Sequence, residues 1–252
     1  MNILGIHTSY TALSHDPSAS LISDGKVIAA IEEERLNRIK SSSIHFPVKA
    51  ISECLNISEL EMHDIDVVVS DGVTYPKLKN MIQRSLLDLF GYSPRIELVN
   101  HAYSHTAGAF LSSGFEQSLV ISVDGLGDKL SVLITLASRV NNTITYNELY
   151  RADRKHSLGN YYTAFTNYLG FKSVEGEYKV MGMAAYGQDI YDLSDLLFFN
   201  AEKGIVDAKC PELFNDLDDY SSITQSCCHE ENIYKLTKVK RPVYSSKDFE
   251  TH

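Results

Sequence analysis

The chain has 252 residues, 44% hydrophobic and 22% charged, enough for one large or two small domains with a sizeable buried core. Its 33 Asp and Glu against 23 Lys and Arg leave a net charge of −10, and no basic cluster stands out, which argues against a nucleic-acid-binding surface. No segment reaches the roughly 18 apolar residues of a membrane helix, and the N-terminus has no charged stretch leading into an apolar one, so a cytoplasmic protein without membrane contact is expected. Four cysteines show no metal or redox spacing and are expected to be reduced; side chains of the neighbouring Cys227, Cys228 and His229 diverge too much for a ready metal site.

The first hundred residues alternate strand and helix signals. Residues 3–6 form a short apolar strand followed by a loop rich in Ser, Thr and Asp. Residues 18–23 and 27–33 flank Asp24-Gly25, a strong hairpin signal. Pro47 is expected at the first position of a helix with Ala50, Ile51 and Cys54 on one face. A buried strand over 65–69 precedes a helix whose apolar residues are Met81, Leu86, Leu87 and Phe90. A strand at 96–99 and a helix from 100 to about 113 follow.

At Ser118 the pattern restarts. A strand over 119–123 runs into Asp124-Gly125-Leu126-Gly127-Asp128, read as a tight glycine turn, then come strand candidates at 130–137 and 143–150 and a helix over 158–169. Both segments share one plan of strand, turn, strand, strand and helix. The expected fold is therefore α/β with two duplicated lobes, 1–117 and 118–252. The second lobe is expected to be incomplete, because the sequence beyond Gly187 is polar, with weak elements at 193–199 and 204–206.

Three stretches carry chemistry. His101 and His105 stand four apart on a predicted helix, which puts both imidazoles on one face within reach of a shared metal ion; Asp124, in the turn after a strand, is a candidate third ligand. In isolation such a histidine pair is more often a polar helix face. Next, the loop after the first strand carries His7, Thr8 and Ser9 and then His15-Asp16-Pro17-Ser18. Its hydroxyls and amides suit phosphate, and a His beside an Asp suits proton transfer; a capped surface turn is the plain alternative. The third stretch, 175–187, holds three glycines with Glu177 and Lys179, a composition for backbone lying close to a ligand. Glu177 would accept from a ribose hydroxyl and Lys179 would meet a phosphate, the alternative being a linker with a short helix.

Together these stretches resemble the N-terminal domain of the NodU/CmcH-type O-carbamoyltransferases. The resemblance is carried by Ile3-Leu4-Gly5-Ile6, His15-Asp16-Pro17-Ser18-Ala19, the run from Ala30 through Glu32-Glu33-Glu34-Arg35 to Arg38, and Phe46-Pro47. It continues in Asn100-His101 through Phe110, Ser122-Val123-Asp124-Gly125, Leu158-Gly159-Asn160-Tyr161-Tyr162, Leu169-Gly170-Phe171 and 175–187. It implies a duplicated actin-like, sugar-kinase-like (RNase H-like) fold. It also implies transfer of a carbamoyl group from carbamoyl-adenylate, made from ATP and carbamoyl phosphate, to the hydroxyl of a small-molecule acceptor. On that likeness His101, His105 and Asp124 bind a divalent metal, iron first, with zinc or manganese next. His15, with Asp16, is the base; Ser122, Gly125, Gly127, Glu177, Lys179 and Gly182 hold the nucleotide.

Two features depart from the family pattern: His7, and a chain roughly half the family length, ending before a further metal-ligating aspartate and the YrdC-like domain that makes the adenylate. A separate chain carrying the missing half is one expectation. A truncated, non-catalytic remnant acting as a binding partner is another. A tRNA threonylcarbamoyl-transferase relative shares the fold and the histidine pair, but the acidic composition and the 175–187 stretch speak against it.

Overall fold

The computed structural model describes residues 1–10, 14–141, 143–153, 156–172, 176–188, 197–200 and 205–208. Two compact units divide the chain, Met1–Gly108 and Ala109–His252. Cys227, Cys228 and His229 lie outside the described residues.

The first unit is built on β1 (Asn2–His7), β2 (Ser18–Ser23) and β3 (Lys26–Glu32), with successive strands antiparallel. Asp24 and Gly25 turn the β2–β3 hairpin with positive φ values of 47° and 79°, the left-handed pair that a two-residue hairpin demands. After α1 (Glu33–Asn37) and α2 (Val48–Ser58), β4 (Val67–Asp71) joins β1 in parallel. α3 (Leu78–Phe90) leads to β5 (Arg95–Val99), parallel to β4, and α4 (His101–Ser113) follows. The sheet order is β3-β2-β1-β4-β5. Pro47 proves to be the residue before the first helical one, and α2 buries Ala50, Ile51, Cys54 and Leu55 against the sheet.

The apolar stripe of α3 differs from the expected one. Ile82 and Leu86 are fully buried, with Leu78 and Phe90 packed beside them, whereas Met81 and Leu87 face solvent. Positions 78, 82, 86 and 90 repeat every four residues and share one face, which Met81 and Leu87 leave. The resulting core gathers Leu4, Leu21, Ile51, Val68, Ile82, Leu86 and Ile96 from both strands and helices.

Two glutamates of the acidic run at 32–34 are buried and structural. Glu33 accepts from the Ala50 amide at 2.8 Å and from the Lys49 amide at 3.3 Å, so its carboxylate caps the first turn of α2. Glu34 accepts from the Ser41 amide at 2.8 Å and from Lys40 Nζ at 3.1 Å. The Ser41 amide, with Lys40 beside it, holds the Glu34 carboxyl below its ordinary range.

The second unit repeats the opening: β6 (Gln117–Gly127), β7 (Leu130–Val140) and β8 (Thr143–Ala152) form an antiparallel sheet in that order, followed by α5 (Leu158–Tyr168) and α6 (Glu177–Ala184). β9 (Leu197–Asn200) and β10 (Ile205–Ala208) pair with each other. The expected glycine turn at 124–128 is corrected. β6 continues through Asp124, Gly125 and Gly127 with a bulge between Val123 and Gly127, and the chain reverses at Asp128 and Lys129, whose φ values are 49° and 69°. The bulge absorbs the irregular register, so the strand survives its two glycines. Among the described residues no helix is long and apolar enough to cross a membrane.

Candidate functional site

The parallel strands β1, β4 and β5 all end at one edge of the first sheet, the edge where open α/β sheets receive ligands. β1 ends on His7 and β4 on Asp71, which pairs with Val99 at the end of β5. Two residues later α4 starts on His101. Asn100 fixes that start, its side-chain oxygen accepting from the Ala102 amide at 3.0 Å and its carbonyl from the Ser104 amide at 3.0 Å.

Asp71 lies between two histidines. Its Oδ2 accepts from His101 Nδ1 at 2.6 Å and its Oδ1 from His7 Nδ1 at 2.7 Å. Burial alone would raise the Asp71 carboxyl, but the hydrogen bonds from His101 and His7 outweigh it and hold the group well below the ordinary carboxylate range. His105, one turn along α4, brings its Nε2 to 3.0 Å from His101 Nε2, ring centroids 4.6 Å apart. Two nitrogens about 2.1 Å from one ion and about 90° apart stand about 3.0 Å from each other, so the donor pair fits a divalent cation in octahedral coordination.

His15 and Asp16 occupy the loop between β1 and β2. His15 Nδ1 stands 2.7 Å from Asp16 Oδ2, and both side chains are about half exposed, 45% and 46%. Asp16 has a positive φ of 58°, and its amide donates to the Ser41 carbonyl at 2.7 Å, the segment that Glu34 secures. Ser9 ties the same loops together, donating from Oγ to the Ser14 carbonyl at 2.6 Å and accepting from the Ile44 amide at 2.9 Å. The His15 carbonyl is 3.1 Å from His7 Nε2.

The remaining candidates belong to the second unit. Asp124 and Gly125 sit on the irregular part of β6, where Asp124 Oδ1 accepts from the Gly125 amide at 2.6 Å. Ser157, the N-cap of α5, donates to the Gly125 carbonyl at 2.6 Å and the Asp124 carbonyl at 3.1 Å while accepting from the Asn160 amide at 3.0 Å. Gly159 sets the approach of α5, since a Cβ there would come within 2.7 Å of Gly125 backbone atoms. Ser122 is buried, and Gly127 pairs with Leu130.

The glycine-rich stretch does not form a loop. Glu177, Lys179 and Gly182 all lie on α6, which buries none of its side chains. Glu177 Oε1 accepts from Thr163 Oγ1 of α5 at 2.8 Å, Lys179 is exposed, and a Cβ on Gly182 would meet nothing within 4 Å. Close packing falls instead on Gly176, where a Cβ would come within 2.6 Å of the Lys172 carbonyl. A run mixing Met, Ala, Val and Lys between its glycines has enough helix propensity to close eight helical residues.

Of the residues that the sequence singles out, His15 meets Asp16 and His101 meets His105, whereas Asp71, Ser157 and the roles of Glu33 and Glu34 show only in the structure. A legible sign of Asp71 is its place two residues after the apolar run Val67-Val68-Val69, at the carboxyl end of a parallel strand.

The first unit is thus an α/β lobe with two histidines and a carboxylate gathered at the carboxyl edge of its parallel strands. The chain belongs to the family described as "Carbamoyltransferase N-terminus", whose model matches residues 2–85 and 76–210. Nodulation protein NolNO of Sinorhizobium fredii is 38% identical over 197 residues, a match covering 69% of this chain and 28% of that protein. An uncharacterized protein of Synechocystis sp. is 31% identical over 226 residues, covering 75% of this chain and 35% of its own. This chain thus spans about a third of the length of the relatives it matches. Among solved structures, YeaZ from Pseudomonas aeruginosa aligns with a TM-score of 0.40 and 12% identity, covering 60% of this chain and 66% of that one. The ROK hexokinase from Thermus thermophilus aligns with a TM-score of 0.33 and 13% identity, covering 63% and 52%.

Proposed function

We propose that this chain is the acceptor-side domain of an O-carbamoyltransferase, moving a carbamoyl group from carbamoyl-adenylate to a small-molecule hydroxyl in nodulation-factor or related biosynthesis. ATP and carbamoyl phosphate supply that donor in the complete enzyme. The observation that carries the reading is the pairing of His101 and His105 at 3.0 Å between Nε2 atoms, on the same unit as the His15–Asp16 pair at 2.7 Å.

With its Nδ1–H donated to Asp16, the His15 ring keeps Nε2 as the proton acceptor. An alcohol hydroxyl is far too weak an acid to ionise at neutral pH, so His15 takes its proton as the oxygen attacks the carbamoyl carbon. The new carbon–oxygen bond forms as the bond from that carbon to the adenylate phosphate oxygen breaks, and AMP leaves with the electron pair. His101 and His105, with Asp124 as third ligand, would hold a divalent metal, iron first; when bound it neutralises charge on the departing phosphate. Ser122, Gly125 and Gly127 would line the phosphate, and the α6 residues Glu177, Lys179 and Gly182 the adenosine.

The test is to purify residues 1–252, measure bound iron or zinc, and supply synthetic carbamoyl-adenylate with model alcohols. Metal lost in His101→Ala and His105→Ala, together with transfer that disappears in His15→Ala, supports the assignment. A folded protein that binds no metal and transfers nothing overturns it for this chain and leaves a binding partner.

A further inference from the structure

We infer that Asp71 is a positioning residue that orients the metal-binding histidine His101 and, through His7, the loop bearing the base His15. The inference rests on the metal and base assignments proposed above and names the group that joins them.

An ionised carboxylate offers acceptors only. Asp71 meets His101 Nδ1 at 2.6 Å through one oxygen and His7 Nδ1 at 2.7 Å through the other, so both Nδ1 atoms carry their hydrogen towards it. His101 therefore presents Nε2 as a lone pair on the side where His105 Nε2 stands 3.0 Å away. A carboxylate behind a ligating histidine fixes the tautomer, aims the ring and raises the basicity of the ligating nitrogen. The other oxygen acts at a different place. His7, its Nδ1 hydrogen given to Asp71, braces the His15 carbonyl at 3.1 Å by donating a second hydrogen from Nε2. One carboxylate at the end of β4 thus braces both the first turn of α4 and the turn before β2.

The three side chains are largely buried at this edge, with 31%, 15% and 21% exposure for His7, Asp71 and His101. Their donor atoms are also close enough together to be weighed as a metal site in their own right. The two contacts at 2.6 and 2.7 Å go to different oxygens of one carboxylate and have the length of charge-assisted hydrogen bonds, which favours protons in both gaps.

Asp71→Asn provides the test, because the amide keeps the shape but offers one acceptor oxygen for two imidazoles. One histidine must then lose its partner or change tautomer. Two measurements on the 252-residue chain read this out: long-range nitrogen–proton NMR of the histidine rings, and anaerobic calorimetric titration with iron(II). Circular dichroism checks the fold. In the unsubstituted protein His101 and His7 are expected protonated at Nδ1, with His101 bare at Nε2. In Asp71→Asn that pattern is lost and iron(II) binds about 10–100-fold more weakly. His101 protonated at Nε2 in the unsubstituted protein overturns the inference. So does unchanged affinity in Asp71→Asn when His101→Ala abolishes binding. Binding abolished by Asp71→Asn and His7→Gln but untouched by His105→Ala also overturns it, by placing the ion on Asp71 itself. Iron binding indifferent to both His101→Ala and His105→Ala removes the metal assignment, and the inference then stands or falls on the ring spectra alone.

Discussion

The two units begin alike and bury their sheets differently. In each, three antiparallel strands precede helical sequence, and the central hairpins turn on left-handed residues. β1 of the first unit lies between β2 and β4, and its Leu4 and Ile6 are 0% and 5% exposed. β6 of the second pairs with β7 alone among the described residues, and its Leu119, Ile121 and Val123 are 54%, 58% and 51% exposed. The alternate residues Val120 and Ser122 of β6 are buried at 8% each, so β6 covers one face and leaves the other open. The β-strand signal in a sequence reports a surface suited to burial, and the burial itself comes from whatever packs upon it.

The largest expected effect falls on the first unit. Leu21→Ala or Leu86→Ala removes a fully buried side chain and should cost about 2–5 kcal/mol in denaturant unfolding, while Ile121→Thr on the exposed face of β6 should stay within about 0.5 kcal/mol. Equal losses at the two places would break the comparison. Gly159→Ala should come next, at about 1–3 kcal/mol, because its Cβ meets Gly125 backbone at 2.7 Å and backbone yields poorly. If denaturation finds that variant as stable as the parent, α5 is not held at that distance from β6.

Ser157→Ala should cost about 1 kcal/mol through the lost α5 cap, and crystallography of the variant should show the Asp124–Gly125 segment displaced as its two carbonyls lose their donor. The smallest effect concerns acid. Glu34 is depressed by the Ser41 amide and by Lys40, so its contribution to stability is complete above the ordinary glutamate pKa of about 4.3 and is lost as pH falls through the lowered folded value. Glu34→Gln should flatten that decline when unfolding midpoints are followed from neutral pH down to about pH 3. An unchanged slope would remove Glu34 as the anchor of the 41–45 loop.

Local sequence determined much of the architecture. Asp24-Gly25 specified a hairpin because few residues tolerate its left-handed pair, and the α2 face followed from helical spacing. The HxxxH spacing placed His101 and His105 on one face since four residues make about one turn. His15-Asp16 was legible as neighbours in sequence. Three things needed the tertiary structure. Parallel pairing set His7 and Asp71 side by side although 64 residues separate them, and no local period encodes that meeting. Packing against the sheet chose Leu78, Ile82, Leu86 and Phe90 as the buried stripe of α3 from a helix with apolar residues on several faces. In the second unit, pairing with β7 carried β6 through two glycines that by themselves signal a turn, because a bulge absorbs the irregularity at lower cost than breaking the ladder.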